Sequence, residues 1–145
     1  MKNKAPLTLI EQAIMLLVFA LAAVLCLQAF VWANDASKAI ADRDMALIQA
    51  QSAAEVLKSC GGDMAHAQIS AVDLLGGRVE QGLWYILYDK NWDVVDDWQT
   101  ASFVLNAQGV PTETAGLWKA QVWVDTCGDR EETLCSFPIA WQGVA

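Results

Sequence analysis

The sequence predicts an α+β fold in which a long N-terminal helix packs on a C-terminal antiparallel β-sheet. Two observations lead to this prediction. The first part of the chain is apolar and alanine-rich, with helical spacing of its apolar residues as far as Gly61 and Gly62. From about residue 82 onward, short segments rich in aromatic and β-branched residues alternate with turn-forming residues. A helix followed by a run of strands is the element order of an α+β domain.

The N-terminal segment is long enough to cross a membrane. From Gln12 to Ala33 there are 22 residues without a charge, and at about 1.5 Å per residue they form about 33 Å of helix, close to the roughly 30 Å of a bilayer core. Lys2 and Lys4 precede this span and Asp35 follows it. The positive-inside rule then places the N-terminus in the cytoplasm and the C-terminal domain outside.

The total charge restricts the partners. The chain has 17 acidic and 9 basic residues and a net charge of −8. This charge repels nucleic-acid phosphates and leaves no basic patch, so no nucleic-acid partner is expected. Without the span, roughly 110 residues remain, which suits one globular domain.

Glu11 stands at the head of the apolar span, where a carboxylate needs compensation. Three interpretations are open. The span is a secretory signal cut after Ala33, with Val31 and Ala33 as the small residues of the cleavage site. Alternatively, it is a plain single-pass anchor for an extracytoplasmic domain that binds a ligand or partner and is not processed. The third interpretation starts from the letters around Glu11.

The stretch PLTLIEQAIML, residues 6–16, resembles the N-terminus of type IV pilins and of type II secretion pseudopilins. Mature chains of that family begin with an aromatic or apolar residue, Thr, Leu, Ile and Glu, and continue as one hydrophobic helix. On this pattern residues 7–11 are the first five mature positions, after a short basic leader. The match covers about 25 residues.

The resemblance implies processing and assembly. A prepilin peptidase would cut between Pro6 and Leu7, the new amine would be methylated, and Glu11 would pair with the positive N-terminus of a neighbouring subunit in a membrane-anchored filament or pseudopilus. The implied partners are other pilin or pseudopilin subunits, the peptidase and the membrane. Pro6 departs from the pattern, because the family usually has Gly and sometimes Ala there, and proline fixes φ and lacks an N–H.

With this resemblance the chain divides into four segments. Residues 1–6 are the leader, 7–33 the transmembrane and assembly helix, 34–60 the outer half of the long helix, and 61–145 a pilin-like globular head with the antiparallel sheet. Loss of Lys2 and Lys4 with the leader would change the net charge from −8 to −10.

The helix is expected to continue past the span. Ile40, Leu47 and Ala54 recur every seven residues, and the glycines after Cys60 supply a stop. One unbroken helix over about residues 7–60 would be roughly 80 Å long. The alternative is two helices with a bend near residues 32–36.

The sheet is expected from five segments. Residues 63–75 before them form a short helix or a loop. Pro138 cannot donate a hydrogen bond to a ladder, which predicts an edge strand or a bulge for the last segment. The segments are GLWYILYDK, WDVVDDW, ASFVLNAQG, GLWKAQVWVD and LCSFPIAWQG, at residues 82–90, 92–98, 101–109, 116–125 and 134–143.

The cysteines suggest one disulfide. Cys127 and Cys135 bracket the charged loop GDREETL, so a bridge between them would close a small hairpin. By alternation, however, they fall on opposite sides of their strands, and a twist or bulge would have to reconcile them. The alternative is reduced thiols, with Cys60 free.

No catalytic or cofactor site is expected. His66 is the single histidine, no nucleophile motif or phosphate loop occurs, and no close cysteine pair suggests a metal. The acidic cluster at residues 91–97 lacks the EF-hand spacing and reads as a solvated turn. The tryptophans are expected mostly in the core, with Trp92, Trp98 or Trp123 as the exposed ones.

Overall fold

The computed structural model describes residues 5–128 and 131–143, with side chains from residue 7 onward. The first four residues of the predicted leader therefore lie outside the described residues. The chain forms two compact units that divide after Ile40.

The helix α1 runs without interruption over Ala5–Ser59. This agrees with the expected single helix and not with the alternative of two helices that meet near residues 32–36. The helix ends at the position that the glycines after Cys60 indicated. The Cys60 N–H still bonds to the Val56 carbonyl at 3.2 Å, and Gly61 follows with a φ of +52°. A positive φ ends a helix at little cost only when the residue is glycine.

In the first unit, every described side chain of residues 7–35 is exposed. Over Leu7–Ser59 the helix α1 is long and apolar enough to cross a membrane, by length and composition. Exposure of this surface to water would be unfavourable. Moving apolar surface from water to an apolar environment is favourable by about 25 cal/mol per Å².

The second unit contains a short helix and the sheet. Residues 63–75, left open between helix and loop, form the helix α2 over Met64–Leu75. Asp63 caps it, since its Oδ1 accepts the His66 N–H at 2.8 Å. Such a cap stabilises a helix by about 1 kcal/mol.

Six antiparallel strands form one sheet, in the order β1-β2-β4-β5-β6 with β3 also on β2. Both β1 and β3 pair with the same edge of β2, at its two ends. The α+β prediction is confirmed, and Pro138 lies in the edge strand β6 as predicted. The strands are β1 Arg78–Glu80, β2 Leu83–Tyr88, β3 Val94–Val95, β4 Phe103–Val110, β5 Leu117–Thr126 and β6 Thr133–Gln142.

Two details differ from the sequence prediction. Of the segment at residues 92–98 only Val94–Val95 is strand, because neighbouring aspartates bond to backbone N–H groups and form turns. The strand β1 was not predicted, since three residues are too few to show alternation.

The core lies between the helices and one face of the sheet. Alanines of α1 and α2 supply the helix side, and a small side chain lets a helix approach a sheet closely. Trp84 and Ile86 of β2 and Leu105 of β4 are the large buried side chains that fill the space. The helix residues buried in this cluster are Ala46, Ala50, Ala53, Ala54, Leu57, Ala67 and Ala71.

Candidate functional sites: the apolar helix and the outer face of the sheet

Pro6, Leu7 and Glu11, the residues of the predicted processing and assembly site, all lie near the start of α1. A proline is tolerated there because the first turn of a helix has no partner for its N–H groups. Leu7 and Glu11 are four residues apart and therefore share one face of the helix. Both side chains are exposed.

Glu11 has no hydrogen-bond or ion-pair partner among the residues that the structure describes. Its carboxylate is the single charge in residues 7–34. A counter-charge for it must come from outside the described part of this chain or from another molecule.

The predicted bridge between Cys127 and Cys135 is not present, because both thiols are free. Cys135 pairs with Val124 and packs against the main core. Cys127 packs instead against a small cluster on the opposite face of the sheet. The irregularity in pairing between Val124 and Asp125 does not bring the two thiols to one side. Burial raises the pKa of both thiols, which keeps them protonated and weakly nucleophilic.

The outer face of the sheet, opposite the helices, carries its own small apolar cluster of Tyr85, Leu87 and Val104. Beside it, the Asp125 carboxylate accepts hydrogen bonds from the indole of Trp123 at 2.7 Å and from the hydroxyl of Thr133 at 2.7 Å. Alternation predicts a polar outer face, and this face is instead an ordered surface of aromatic and hydrogen-bonded polar groups.

A cleft of about 370 Å³ lies on this face. We call it the outer cleft and define it by Glu80, Gln81, Leu83, Tyr85, Trp98, Asn106 and Gln108. Its volume falls within the roughly 300–1,000 Å³ of small-ligand sites.

The aromatic part of the outer cleft is held in place by its neighbours. Trp98 is 54% exposed as a residue, and its ring packs against Tyr85, with centroids 5.5 Å apart and planes tilted by 36°. The Tyr85 hydroxyl donates to Glu80 Oε1 at 2.8 Å, and this hydrogen bond to a carboxylate raises the pKa of the phenol. The exposed indole thus rests on a fixed partner.

The rim of the outer cleft is the turn between β1 and β2. Gln81 and Gly82 have φ values of +50° and +81°, as the two central residues of a type I′ turn require. Asn or Asp is usual at the first of these positions, and Gln is strained there. The turn is anchored from below, because the buried Gln68 donates to the Gly82 carbonyl at 2.8 Å.

Of the three tryptophans expected at the surface, only Trp98 is exposed. Trp123 is half-buried, and Trp92 stacks on Phe103 with centroids 4.2 Å apart and planes within 8° of parallel. Its indole N–H lies 3.5 Å from Asp42 Oδ1 of α1. Trp92 therefore joins the β2–β3 turn to the helix and is half-buried against the core.

The acidic cluster that follows β2 is a set of turns. Asp89 Oδ1 accepts the N–H groups of Asn91 at 2.7 Å and Asp93 at 3.0 Å, and these bonds lower the pKa of Asp89. Asp97 accepts the Gln99 N–H in the same way. No group of three side chains suited to a metal ion occurs in residues 5–128 and 131–143.

Sequence reasoning missed the outer cleft because its residues come from β1, β2, β4 and a loop that only pairing brings together. The one local signal was the Gln-Gly pair between two short extended segments. Comparison with known protein families, with curated proteins and with solved structures finds no match to this chain.

Proposed function

We propose that this chain is a pilin-like structural subunit, a minor pilin or pseudopilin, that acts by assembly. The observation that carries the proposal is the first part of α1. It is fully exposed, apolar, and charged only at Glu11. The second part of the same helix supplies the alanine face of the core of the head.

The apolar helix explains how a subunit can exchange between two environments. Side chains that are apolar around the whole helix fit lipid tails, and they fit a bundle of identical helices equally well. The transfer from membrane to filament then costs little hydrophobic free energy. The membrane would hold the subunit with its N-terminus in the cytoplasm and its head outside, as Lys2 and Lys4 favour.

Glu11 sets the axial position of a subunit in such a bundle. A carboxylate among apolar helices is unfavourable by several kcal/mol unless it is paired. After cleavage before Leu7, the free amine of a neighbouring subunit is a cation at the right depth, because Leu7 and Glu11 are one helical turn apart. A pairing of this kind fixes register, since a shift of one subunit leaves both charges unpaired.

The second candidate function is an unprocessed membrane anchor for a binding domain. The outer cleft favours this candidate, because a preformed cleft on the head could bind a ligand without assembly of the chain into a filament. Intact mass of the protein from native membranes separates the alternatives. Loss of residues 1–6 with one added methyl group supports the pilin-like subunit. No loss supports the anchored binding domain, and loss of residues 1–33 supports a secreted one.

The role of Glu11 is tested with Glu11→Gln, which keeps the shape of the side chain and removes its charge. A hydrogen bond to a charged group is worth about 1.5–3 kcal/mol, so incorporation into filaments should fall by about tenfold or more. Gln12→Ala is the matched control, because it alters the neighbouring polar residue and leaves the charge. Wild-type incorporation of Glu11→Gln, or recovery of the chain only as an unprocessed monomer, would overturn the proposal.

A further inference from the structure

The geometry points to the outer cleft as a binding site for a neutral saccharide. This inference concerns the head alone and holds whether or not the chain assembles into a filament.

The first support is the exposed indole of Trp98. An aromatic side chain exposed over half its surface and held against a second ring presents a flat, rigid apolar face. Saccharide rings have an apolar C–H face of matching shape, and C–H groups interact favourably with the electron-rich face of an indole. The tilt of Trp98 on Tyr85 leaves one face of the indole available.

The second support is an unpaired acceptor within the cleft. Asn106 is only 7% exposed, and its Nδ2 points to Asp125 Oδ2 at 3.4 Å. The carboxylate fixes the amide orientation, because the amide oxygen would be repelled there. Asn106 Oδ1 then remains without a partner among the described residues. No buried side-chain polar atom of the described residues lacks a hydrogen-bond partner, so this oxygen is open to solvent. A ligand hydroxyl can therefore donate to it in place of water.

The third support is the set of neutral amides around the indole. Gln81, Asn106 and Gln108 each carry a donor and an acceptor on one planar group. Such groups match the vicinal hydroxyls of a sugar, which also donate and accept. The strained φ of Gln81 places one of these amides at the rim, and strain at a surface turn is often kept for function.

The charges of the site exclude anionic ligands. No lysine, arginine or histidine lines the outer cleft as the structure describes it, while Glu80 contributes a carboxylate. An anion would have no cationic partner among these lining residues. Arg78, which acts on Tyr85 from outside the cleft, is already paired with Asp96 at 3.4 Å. The net charge of −8 would also repel an anion.

The position of the outer cleft also argues against an extended peptide. Peptides commonly add to a free strand edge or insert apolar anchors into a groove. The cleft lies over the paired strands β2 and β4, where Leu83 is opposite Gln108 and Tyr85 is opposite Asn106. The backbone groups of these residues already belong to a ladder between two strands.

The test uses the full chain in lipid nanodiscs, titrated with maltotriose, cellotriose and triacetylchitotriose, with tryptophan emission and calorimetry as readouts. At least one of these neutral probes should bind saturably with a Kd of about 1 mM or below. Trp98→Ala should weaken this binding by about tenfold or more, because it removes the stacking surface. Trp118→Ala is the matched control, since this indole is 37% exposed and does not line the cleft.

Gln81→Gly makes the test independent of folding. Glycine adopts the positive φ of this position without strain, so the variant should melt at or above the wild-type temperature while it binds the sugar more weakly. The inference is overturned by three results: no saturable binding of any probe up to roughly 10 mM, equal binding by Trp98→Ala, or preference for a sialylated over a neutral oligosaccharide. None of these results bears on cleavage or filament assembly.

Discussion

Adjacent glycines at the entry to β1 offer a matched pair of substitutions. Gly76 and Gly77 have nearly equal φ values of +82° and +87°. A Cβ at Gly76 would meet no atom within 4 Å, whereas a Cβ at Gly77 would fall on the carbonyl oxygen of Tyr85 and within 2.7 Å of Ile86 Cγ1. Alanine is therefore strained by a positive φ at both positions, and the clash arises only at Gly77.

The magnitudes follow from this difference. An L residue in such a sparsely populated conformation costs about 1–3 kcal/mol. Gly77→Ala adds overpacking of about 1–3 kcal/mol, because the Tyr85 carbonyl is part of the backbone and Tyr85 is paired with Arg78 of β1. We expect Gly76→Ala to destabilise the head by about 1–3 kcal/mol and Gly77→Ala by about 2–6 kcal/mol.

Thermal unfolding of the full chain in nanodiscs, followed by tryptophan emission, measures both variants. Each kcal/mol lowers Tm by roughly 4–8 °C in a domain of this size, so Gly77→Ala should melt well below Gly76→Ala. Equal melting temperatures, or a lower one for Gly76→Ala, would refute the assignment of the close contact between β1 and β2.

Three further predictions concern the head. Leu57→Ala should lower the free energy of unfolding by about 2–5 kcal/mol, because Leu57 is fully buried; urea titration measures this, with Leu47→Ala, 41% exposed, as the milder control. Asp89→Asn should cost stability at neutral pH, and this cost should shrink as the pH falls below the unfolded value near 4, since the stability that comes from a lowered pKa is lost on acidification. Tyr88→Phe should flatten the loss of stability between pH 10 and 12, because burial raises the pKa of Tyr88 to about 12 while the unfolded phenol ionises near 10.

Each of these has a result that contradicts it. A smaller cost for Leu57→Ala than for Leu47→Ala would argue against the helix face assigned to the core. For Asp89, a difference in Tm from wild type that stays constant from pH 2 to 6 would show that its carboxylate is not paired with the turn. Parallel wild-type and Tyr88→Phe curves at alkaline pH would show that the phenol is accessible to water.

Local patterns in the sequence were sufficient for the main elements. The length of the apolar run, the alanine spacing and Gly61 predict one continuous helix and its end, because helix geometry and the left-handed φ of glycine depend on neighbouring residues only. Pro138 predicts an edge strand or a bulge for the same reason, since its missing N–H is a property of one residue.

The cysteines show where local patterns are insufficient. Spacing around a hairpin loop favours a bond between Cys127 and Cys135, whereas the pleat directs the two thiols to opposite faces of the sheet. Alternation already indicated this conflict. A β-bulge between the two cysteines could have turned both thiols to one face or left them on opposite faces. The position of a bulge depends on the pairing with another strand, which the local sequence does not specify.

The tryptophans give the second example. Trp92 and Trp98 occur in the same acidic segment with similar neighbours, yet one stacks in the core and the other is exposed at the outer cleft. The difference arises because the turn at Asp89 directs Trp92 toward α1, and no pattern within the segment encodes the position of that helix.

The sequence by itself determined the apolar helix, the charge at Glu11, the acidic surface and the presence of a sheet, since each follows from composition or from a period of a few residues. Only the tertiary structure decided that the thiols stay apart and that Gln81, Trp98 and Asn106 meet in one cleft. These residues lie on separate elements, and their distances depend on strand register and helix packing, which are set by contacts between distant parts of the chain.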